Sequence, residues 1–246
     1  MAKHNVWMSV SDLMTGLMVI FLFIAIAYIS KVDKNQTVLK DFVETKQKLH
    51  DELVEEFKGD TDKWRMIIGG DLSMKFDEPS VLFASGSAEL TPRFKEILDE
   101  FLPRYFKILL NSELRSHIVE IRIEGHTDDV PMPSRDPDPY LANVKLSQER
   151  SLNVLKYFLS SEAYKQYKPE EQHLLRYWFT SNGLSYGKPL DSEGKAIIPL
   201  DDNGKAVIPK QAMDKSKSRR VEFRIVTSDK DVLEDFVNKN LSSKTD

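Results

Sequence analysis

Near the start of the chain, the apolar residues form one unbroken run. Residues 10–30, VSDLMTGLMVIFLFIAIAYIS, contain one charged side chain, that of Asp12. At about 1.5 Å of rise per helical residue this run covers about 30 Å, the thickness of the hydrocarbon core of a bilayer. The run is longer than a signal-peptide core, and no clear cleavage site of small residues precedes Lys31. The pattern predicts a retained transmembrane helix over residues 10–30, after a short tail of residues 1–9.

Beyond this run the pattern becomes amphipathic. Residues 31–68 begin with a charged stretch free of Gly and Pro, with apolar residues three or four apart. This predicts a connector helix that either pairs with a second copy as a short coil or packs on the next domain. Strand and helix patterns then alternate over residues 69–228, which predicts an α/β sandwich. Residues 229–246 predict a terminal helix and a polar tail. The predicted strands are 72–76, 118–123, 178–182 and 221–226, and the predicted helices are 92–110, 146–159 and 169–177.

One internal repeat interrupts the second half of the chain. The sequence DSEGKAIIP at 191–199 recurs as DDNGKAVIP at 201–209, offset by ten residues. Each copy has a polar turn with Gly, followed by a short β-branched run. We interpret the repeat as a hairpin-like surface insertion rather than as a binding site.

Composition excludes several classes of function. The 35 basic and 39 acidic residues give a net charge of −4, so no basic field for nucleic acid is present. The absence of cysteine excludes disulfides, thiolate metal sites and cysteine nucleophiles. His126, Asp128 and Asp129 share one loop without a second His-rich element, which does not predict a metal site. No nucleophile elbow, P-loop or zincin motif is found, so we expect neither an enzyme nor a cofactor.

Asp12 is the unusual residue of the apolar run. A carboxylate within a transmembrane helix costs a few kcal/mol, so its presence needs a reason. One interpretation places it at the membrane edge, capping the helix N-terminus. The other makes it an ion carrier, because a carboxyl can be neutral in lipid and charged in a wet half-channel. Spacing alone leaves both interpretations open.

The residues around Asp12 carry a family resemblance. Residues 12–18, DLMTGLM, resemble the single transmembrane helix of the B subunits of ion-driven stators, a family that includes flagellar MotB. The resemblance implies that Asp12 carries the ion, H⁺ with Na⁺ as the alternative. It also implies a homodimer of this chain, surrounded by a multi-span A subunit. Gly16 would allow the close approach of helices.

Four further motifs resemble the OmpA C-terminal-like, peptidoglycan-binding domain that MotB shares. They occur in the order IEGHTD at 123–128, NVKLSQER at 143–150, SNGLSYG at 181–187 and RRVEF at 219–223. The fold expected is therefore a single N-terminal transmembrane helix plus an α/β OmpA C-terminal-like sandwich domain. A Pro-rich loop at 130–139 is longer than in the shortest members of the family.

The resemblance implies recognition of the free amine and carboxylate of diaminopimelate in the cell-wall stem peptide. Asp128 would bind the ammonium, and Arg150 the carboxylate, which its planar fork can grip in bidentate fashion. The remaining expected contacts are hydrogen bonds from Thr127 and Asn143, an apolar contact from Leu146 and a second guanidinium at the rim from Arg220. Taken singly, Asp128 could instead stabilise a turn and Arg150 could be a solvated helix residue.

The same resemblance predicts location and role. A domain that grips peptidoglycan requires a cytoplasmic N-terminus and a periplasmic C-terminal domain, with the helix in the bacterial inner membrane. The nine residues before the helix and the wording of residues 11–21 resemble ZorB proteins of Zorya anti-phage defence more than flagellar MotB, which usually has a longer basic tail. We therefore expect a stator B subunit of a defence system. The alternatives are a flagellar stator subunit and a cell-wall tether without motor function.

Overall fold

The computed structural model describes residues 2–132, 136–208 and 212–228. The chain divides into two compact units, of which the second is Thr45–Ser228. The first contains residues 2–44 among those described. The terminal helix predicted within 229–246 lies outside the described residues.

The first unit is helical. Helix α1 runs from Ala2 to Phe57, and Val10–Ser30 is the segment within it that is long and apolar enough to cross a membrane, among the residues described. All side chains of that segment are exposed, Asp12 included. The hydroxyl of Thr15 donates to the carbonyl of Ser11 at 2.8 Å, a bond that satisfies the hydroxyl within the helix itself. The apolar helix predicted over residues 10–30 is confirmed.

The second unit is built on a mixed sheet. Its strands are β1 (Met66–Ile68), β2 (Ser73–Phe76), β3 (Ile118–Gly125), β4 (Phe179–Gly183) and β5 (Val221–Thr227). Its further helices are α2 (Thr61–Trp64), α3 (Pro79–Leu82), α4 (Pro92–Leu109), α5 (Pro139–Ser160), α6 (Glu162–Lys165), α7 (Pro169–Trp178) and α8 (Lys215–Ser218). The strand order is β1-β2-β5-β3-β4. β3 and β4 are parallel, and α5, α6 and α7 form the long crossover that a parallel pair needs.

One face of the sheet forms the core. Ile123 of β3 lies opposite Phe223 of β5, and both are fully buried. Helix α4 covers this face, with the ring of Phe101 centred 5.2 Å from that of Phe223. Helix α4 begins where the sequence predicts, because the hydroxyl of Thr91 accepts a hydrogen bond from the amide of Phe94 at the N-terminus.

The last turns of α1 belong to this core. Leu49, Leu53 and Phe57 lie on one stripe of the helix and are at most 1% exposed. Arg104 of α4 holds this end of α1, with its Nε 2.7 Å from Glu56 Oε1. The compact domain thus begins at Thr45 rather than at residue 69. Leu49 and Leu53, which could have formed the seam of a coil with a second copy, pack into the core of the domain instead.

Helix α5 begins earlier than predicted. The sequence predicts a start near residue 146, but the helix begins at Pro139. The carboxylate of Asp138 accepts from the amides of Tyr140 and Leu141, at 2.8 and 3.4 Å, and Pro139 occupies the first helical position. Asp-Pro is thus a helix start here, because proline needs no hydrogen-bond acceptor at that position.

The repeat forms two turns of the same geometry. In the first, Leu190 and Ala196 form an antiparallel bridge, and in the second, Leu200 and Ala206 do. Asp191 and Asp201 each accept two backbone hydrogen bonds inside their own turn. Leu190 is buried, whereas its counterpart Leu200 is half exposed.

Candidate binding cavity

A cavity of about 330 Å³ lies where three parts of the second unit meet. The first is the chain around 80–86, and the second is the stretch from the end of β3 into α5, which contributes residues 127–132 and one face of the helix. The third is the pair Arg219–Arg220 before β5. The six residues that are predicted to bind peptidoglycan all line this cavity, namely Thr127, Asp128, Asn143, Leu146, Arg150 and Arg220. Residues from separate motifs of the sequence thus share one cavity.

Helix α5 supplies three of these side chains from one face. Asn143, Leu146 and Arg150 are three and four residues apart, the spacing of neighbours on a helix surface. The amide nitrogen Nδ2 of Asn143 donates to the carbonyls of Val130 and Pro139, both at 3.1 Å. The side chain of Asn143 therefore links the segment after β3 to the first turn of α5, which is a structural role within the cavity wall.

Close packing fixes where α5 lies on the sheet. A Cβ atom at Gly125, the last residue of β3, would lie 2.2 Å from the carbonyl oxygen of Ser147. A Cβ atom at Gly183 of β4 would lie 2.4 Å from the amide nitrogen of Gln148. Glycine at these two strand ends lets the helix approach the sheet, which positions Arg150 over the cavity.

The guanidinium of Arg150 is held from two sides. Its Nε donates to the carbonyl of Ser87 at 2.9 Å, and its central carbon lies 4.9 Å from the ring centre of Phe83. A cation over an aromatic face is stabilised by the ring quadrupole. Arg150 is buried. It is therefore a fixed positive group of the cavity and not a solvated helix residue.

Asp128 is the acidic residue of the cavity lining. Its Oδ1 accepts from the amide of Val130 at 3.1 Å, so it does stabilise a turn. Its Oδ2 lies 3.5 Å from Nη1 of Arg219. The neighbouring Thr127 is fixed through its backbone, whose amide donates to the carbonyl of Ser185 at 3.0 Å. The turn therefore engages Oδ1 of Asp128, and the second oxygen, Oδ2, is the one that lies beside Arg219.

Arg220 lies deeper than predicted. The sequence predicts this guanidinium at the rim of the site, and that placement is wrong, since the residue is 4% exposed. Its Nε donates to Glu222 Oε1 at 2.6 Å, and its Nη1 to the carbonyl of Ser218 at 3.2 Å. The side chain of Arg219 is 41% exposed and is the guanidinium at the rim. Arg219 is the first residue of the motif RRVEF, but the sequence alone does not indicate which of the two adjacent arginines is buried against a carboxylate.

Behind the cavity, the second face of the sheet carries a buried charge network. Glu124 of β3 lies directly opposite Glu222 of β5, and Arg224 bonds Glu222 Oε2 at 2.8 Å and lies 3.4 Å from Glu124 Oε1. Burial alone would raise the pKa of Glu124, but His126 and the charges of Arg224 and Lys188 outweigh it and lower the pKa to about 2. Both carboxylates of this network are therefore ionised at neutral pH, since the pKa of Glu222 is also lowered, burial being outweighed mainly by Arg220.

His126 belongs to this network and not to the loop carboxylates of Asp128 and Asp129. Its Nε2 lies 3.5 Å from Glu124 and 3.7 Å from Glu222, so the three side chains have the spacing of a metal site. The two carboxylates already pair with guanidinium groups, and a divalent cation would add positive charge beside them. The donor set therefore fits an ion-pair network better than a metal. Burial lowers the pKa of His126, which favours the neutral imidazole.

The sequence of the chain matches known proteins over most of its length. The Zorya protein ZorB of Escherichia coli (strain Crooks) is 37% identical over 229 residues, which cover 90% of this chain and 88% of that protein. The chain belongs to the ZorB family. A second Zorya protein ZorB, from Escherichia coli O139:H28, is 25% identical over 197 residues, 78% of this chain and 77% of the relative.

A family model described as the OmpA family matches residues 82–183. In this ZorB-family chain that range includes β3, α5 and β4, but not Arg219 and Arg220, so the cavity combines the matched region with a later segment. Two crystal structures of MotB periplasmic domains are also similar. The first has 17% identity and a TM-score of 0.39, and covers 71% of each chain. The second, from Helicobacter pylori, has 16% identity and a TM-score of 0.42, and covers 71% of this chain and 93% of that one.

Proposed function

We propose that this protein is the B subunit of an ion-driven stator in Zorya anti-phage defence. Its helix over residues 10–30 would lie in the bacterial inner membrane, with the N-terminus cytoplasmic, and its OmpA-like domain would bind peptidoglycan in the periplasm. Membership of the ZorB family supports the role. The cavity supports the anchor, because residues from separate motifs provide one acidic and several basic groups within about 330 Å³.

The ligand proposed for the cavity is the free amino-acid end of diaminopimelate in a stem peptide. A site that binds a zwitterion needs one negative and one positive side chain, and Asp128 and Arg150 provide these. Arg150 is already oriented by Ser87 and Phe83, so little conformational entropy is lost when it binds a carboxylate. Leu146 would contact the methylene chain of the ligand. The observation that carries this proposal is that the predicted residues share one cavity.

Binding to purified sacculi tests the anchor. We expect Arg150→Ala to abolish cosedimentation of the full-length chain with sacculi, because no other residue of α5 in the cavity carries a positive charge. The matched control is Arg115→Ala, which removes an exposed arginine next to the opposite end of β3 and should leave binding unchanged. Full binding by the Arg150 variant would refute the assignment of the cavity.

Asp12 is proposed as the ion carrier, with H⁺ as the ion and Na⁺ as the alternative. One helix cannot enclose a polar pathway, so a dimer of this chain would sit inside a multi-span A subunit. Each charge that crosses the membrane releases about 2.3 kcal/mol per 100 mV. With the periplasmic domain fixed to the wall, this energy could rotate the A subunits around the dimer.

Substitution of Asp12 separates a motor from a tether. We expect Asp12→Asn to abolish protection against phage in plating assays while the variant still copurifies with the A subunit. The neighbouring Ser11→Asn, which introduces the same side chain one position earlier, is the control and should keep protection. A tether would work with the amide, so full protection by Asp12→Asn would rule out ion coupling. Loss of swimming with unchanged plaque counts in a deletion strain would favour the flagellar alternative.

A further inference from the structure

An apolar contact joins two of the three parts of the chain that form the cavity. Gly86 belongs to the part around 80–86 and Met132 to the segment after β3, and both line the cavity. A Cβ atom at Gly86 would lie 3.1 Å from Cε, the terminal methyl carbon of Met132. The thioether end of Met132 therefore packs against the α-carbon of Gly86, which belongs to a different wall of the cavity.

This contact depends on glycine at position 86. The backbone of Gly86 has a φ of +70°, in the left-handed region, where glycine is favoured because it has no Cβ atom. A side chain at this position would also meet Met132 at less than an ordinary van der Waals distance. The backbone conformation and the position of the thioether thus require the same residue type.

The backbone on both sides of the contact is held by helix α5. Nε of Arg150 donates to the carbonyl of Ser87 at 2.9 Å, next to Gly86. Nδ2 of Asn143 donates to the carbonyl of Val130 at 3.1 Å, two residues before Met132. The side chain of methionine, in contrast, is unbranched and has three rotatable bonds. Met132 can therefore adjust to a ligand while the two walls stay in place.

From these observations we propose that Met132 is a specificity-determining residue that covers the methylene chain of the diaminopimelate residue. The proposal rests on the function proposed above. When Asp128 and Arg150 bind the charged groups at one end of the ligand, the methylene groups that follow need an apolar surface. Leu146 provides this surface from α5, and Met132 provides it from the segment after β3.

The consequence is discrimination against a polar group on the methylene chain. A hydroxyl group there must leave water, and a thioether is only a weak hydrogen-bond acceptor. Apolar sites reject an added hydroxyl group by a factor of about 100 at most. The amine and the carboxylates of the ligand are unchanged by this hydroxyl group, so the factor measures the apolar surface and not the charges of Asp128 and Arg150.

The test is calorimetric titration of the detergent-solubilised full chain with two synthetic stem tripeptides. Both end in diaminopimelate, and one of them carries a hydroxyl group on the central carbon of the methylene chain. We expect the hydroxylated peptide to bind the unmodified protein about 10-fold more weakly than the plain peptide. In Met132→Ala, water can reach the methylene chain, so this factor should fall to about 2. The plain peptide should itself bind this variant about 10-fold more weakly, because apolar contact is lost.

Two further variants make the result specific. Met132→Leu keeps an apolar side chain of similar volume and should retain most of the discrimination. Leu141→Ala removes a half-exposed apolar side chain of α5 that is not among the described residues lining the cavity, so it should bind both peptides like the unmodified protein.

The proposal is overturned if Met132→Ala discriminates between the two peptides as strongly as the unmodified protein does, or more strongly. In that case the plain peptide still binds, and the proposed function stands without a role for Met132. Failure of the unmodified protein to bind either peptide would instead reject the proposed ligand, and this proposal with it.

Discussion

The buried carboxylate of Glu124 makes the stability of the domain depend on acid pH in a predictable way. In the folded protein its pKa is about 2, compared with an ordinary value of 4.5. This difference corresponds to about 3 kcal/mol of stability when the carboxylate is ionised. Because the folded pKa is the lower one, the contribution is complete above about pH 5 and is lost as the pH falls from 4.5 towards 2.

We therefore expect Glu124→Gln to lower the free energy of unfolding by about 3 kcal/mol at pH 6, and by about half of that at pH 3. The measurement is urea denaturation of the full chain in a nonionic detergent at each pH, followed by the fluorescence of the buried Trp64 and Trp178. Urea carries no charge and does not screen the ion pairs.

The control for this experiment is Glu120→Gln on the same strand and the same face. Glu120 pairs with Arg122, whose side chain is 41% exposed, at 2.8 Å, so its loss should cost about 1 kcal/mol or less. A destabilisation by Glu124→Gln that stayed constant from pH 6 to pH 3 would refute the reasoning, since the cost would then come from packing and not from ionisation.

Two core positions give further predictions. Gly125→Ala places a methyl group 2.2 Å from the carbonyl oxygen of Ser147, so α5 must move away from β3. We expect the free energy of unfolding, measured by urea denaturation, to fall by about 3 kcal/mol. The control is Gly59→Ala, which has open space around it and should change this free energy by no more than about 0.5 kcal/mol. Equal stability of these two variants would contradict the close contact. Phe101→Ala removes a buried ring that packs on Phe223 and should cost about 3–5 kcal/mol, also by urea denaturation; a loss below 1 kcal/mol would show that the core refills the space.

The sequence predicted the elements whose pattern is strongly periodic. The apolar run of residues 10–30 and the alternating strand that became β3 needed no knowledge of their neighbours. Helix α4 was recognisable from Thr91 and Pro92. The start of α5 was missed because Asp138 and Pro139 belong to a Pro-rich stretch typical of loops, although the same two residues are a good helix start.

The resemblance to the OmpA C-terminal-like domain predicted which residues share the cavity, but not the electrostatics of the cavity. Asp128 and Arg150 line it as expected from their motifs. The support of Arg150 by Phe83 and Ser87 depends on contacts across more than 60 positions of the chain, which no local pattern reveals. The assignment of roles within the pair Arg219–Arg220 depended on the position of Glu222, and burial of that carboxylate became visible only in the folded sheet.

The repeated turn is a unit that can be counted. Each copy has its own antiparallel bridge and its own aspartate. The amide of Ile197 donates to the carbonyl of Pro189 in the first copy, and the amide of Val207 donates to the carbonyl of Pro199 in the second. Adding or removing one such decapeptide leaves the buried Leu190, where the projection starts, and the sheet of the domain unchanged. The length of this projection can therefore change by one decapeptide at a time without altering the residues that line the cavity, since the repeat contributes none of them among the described residues.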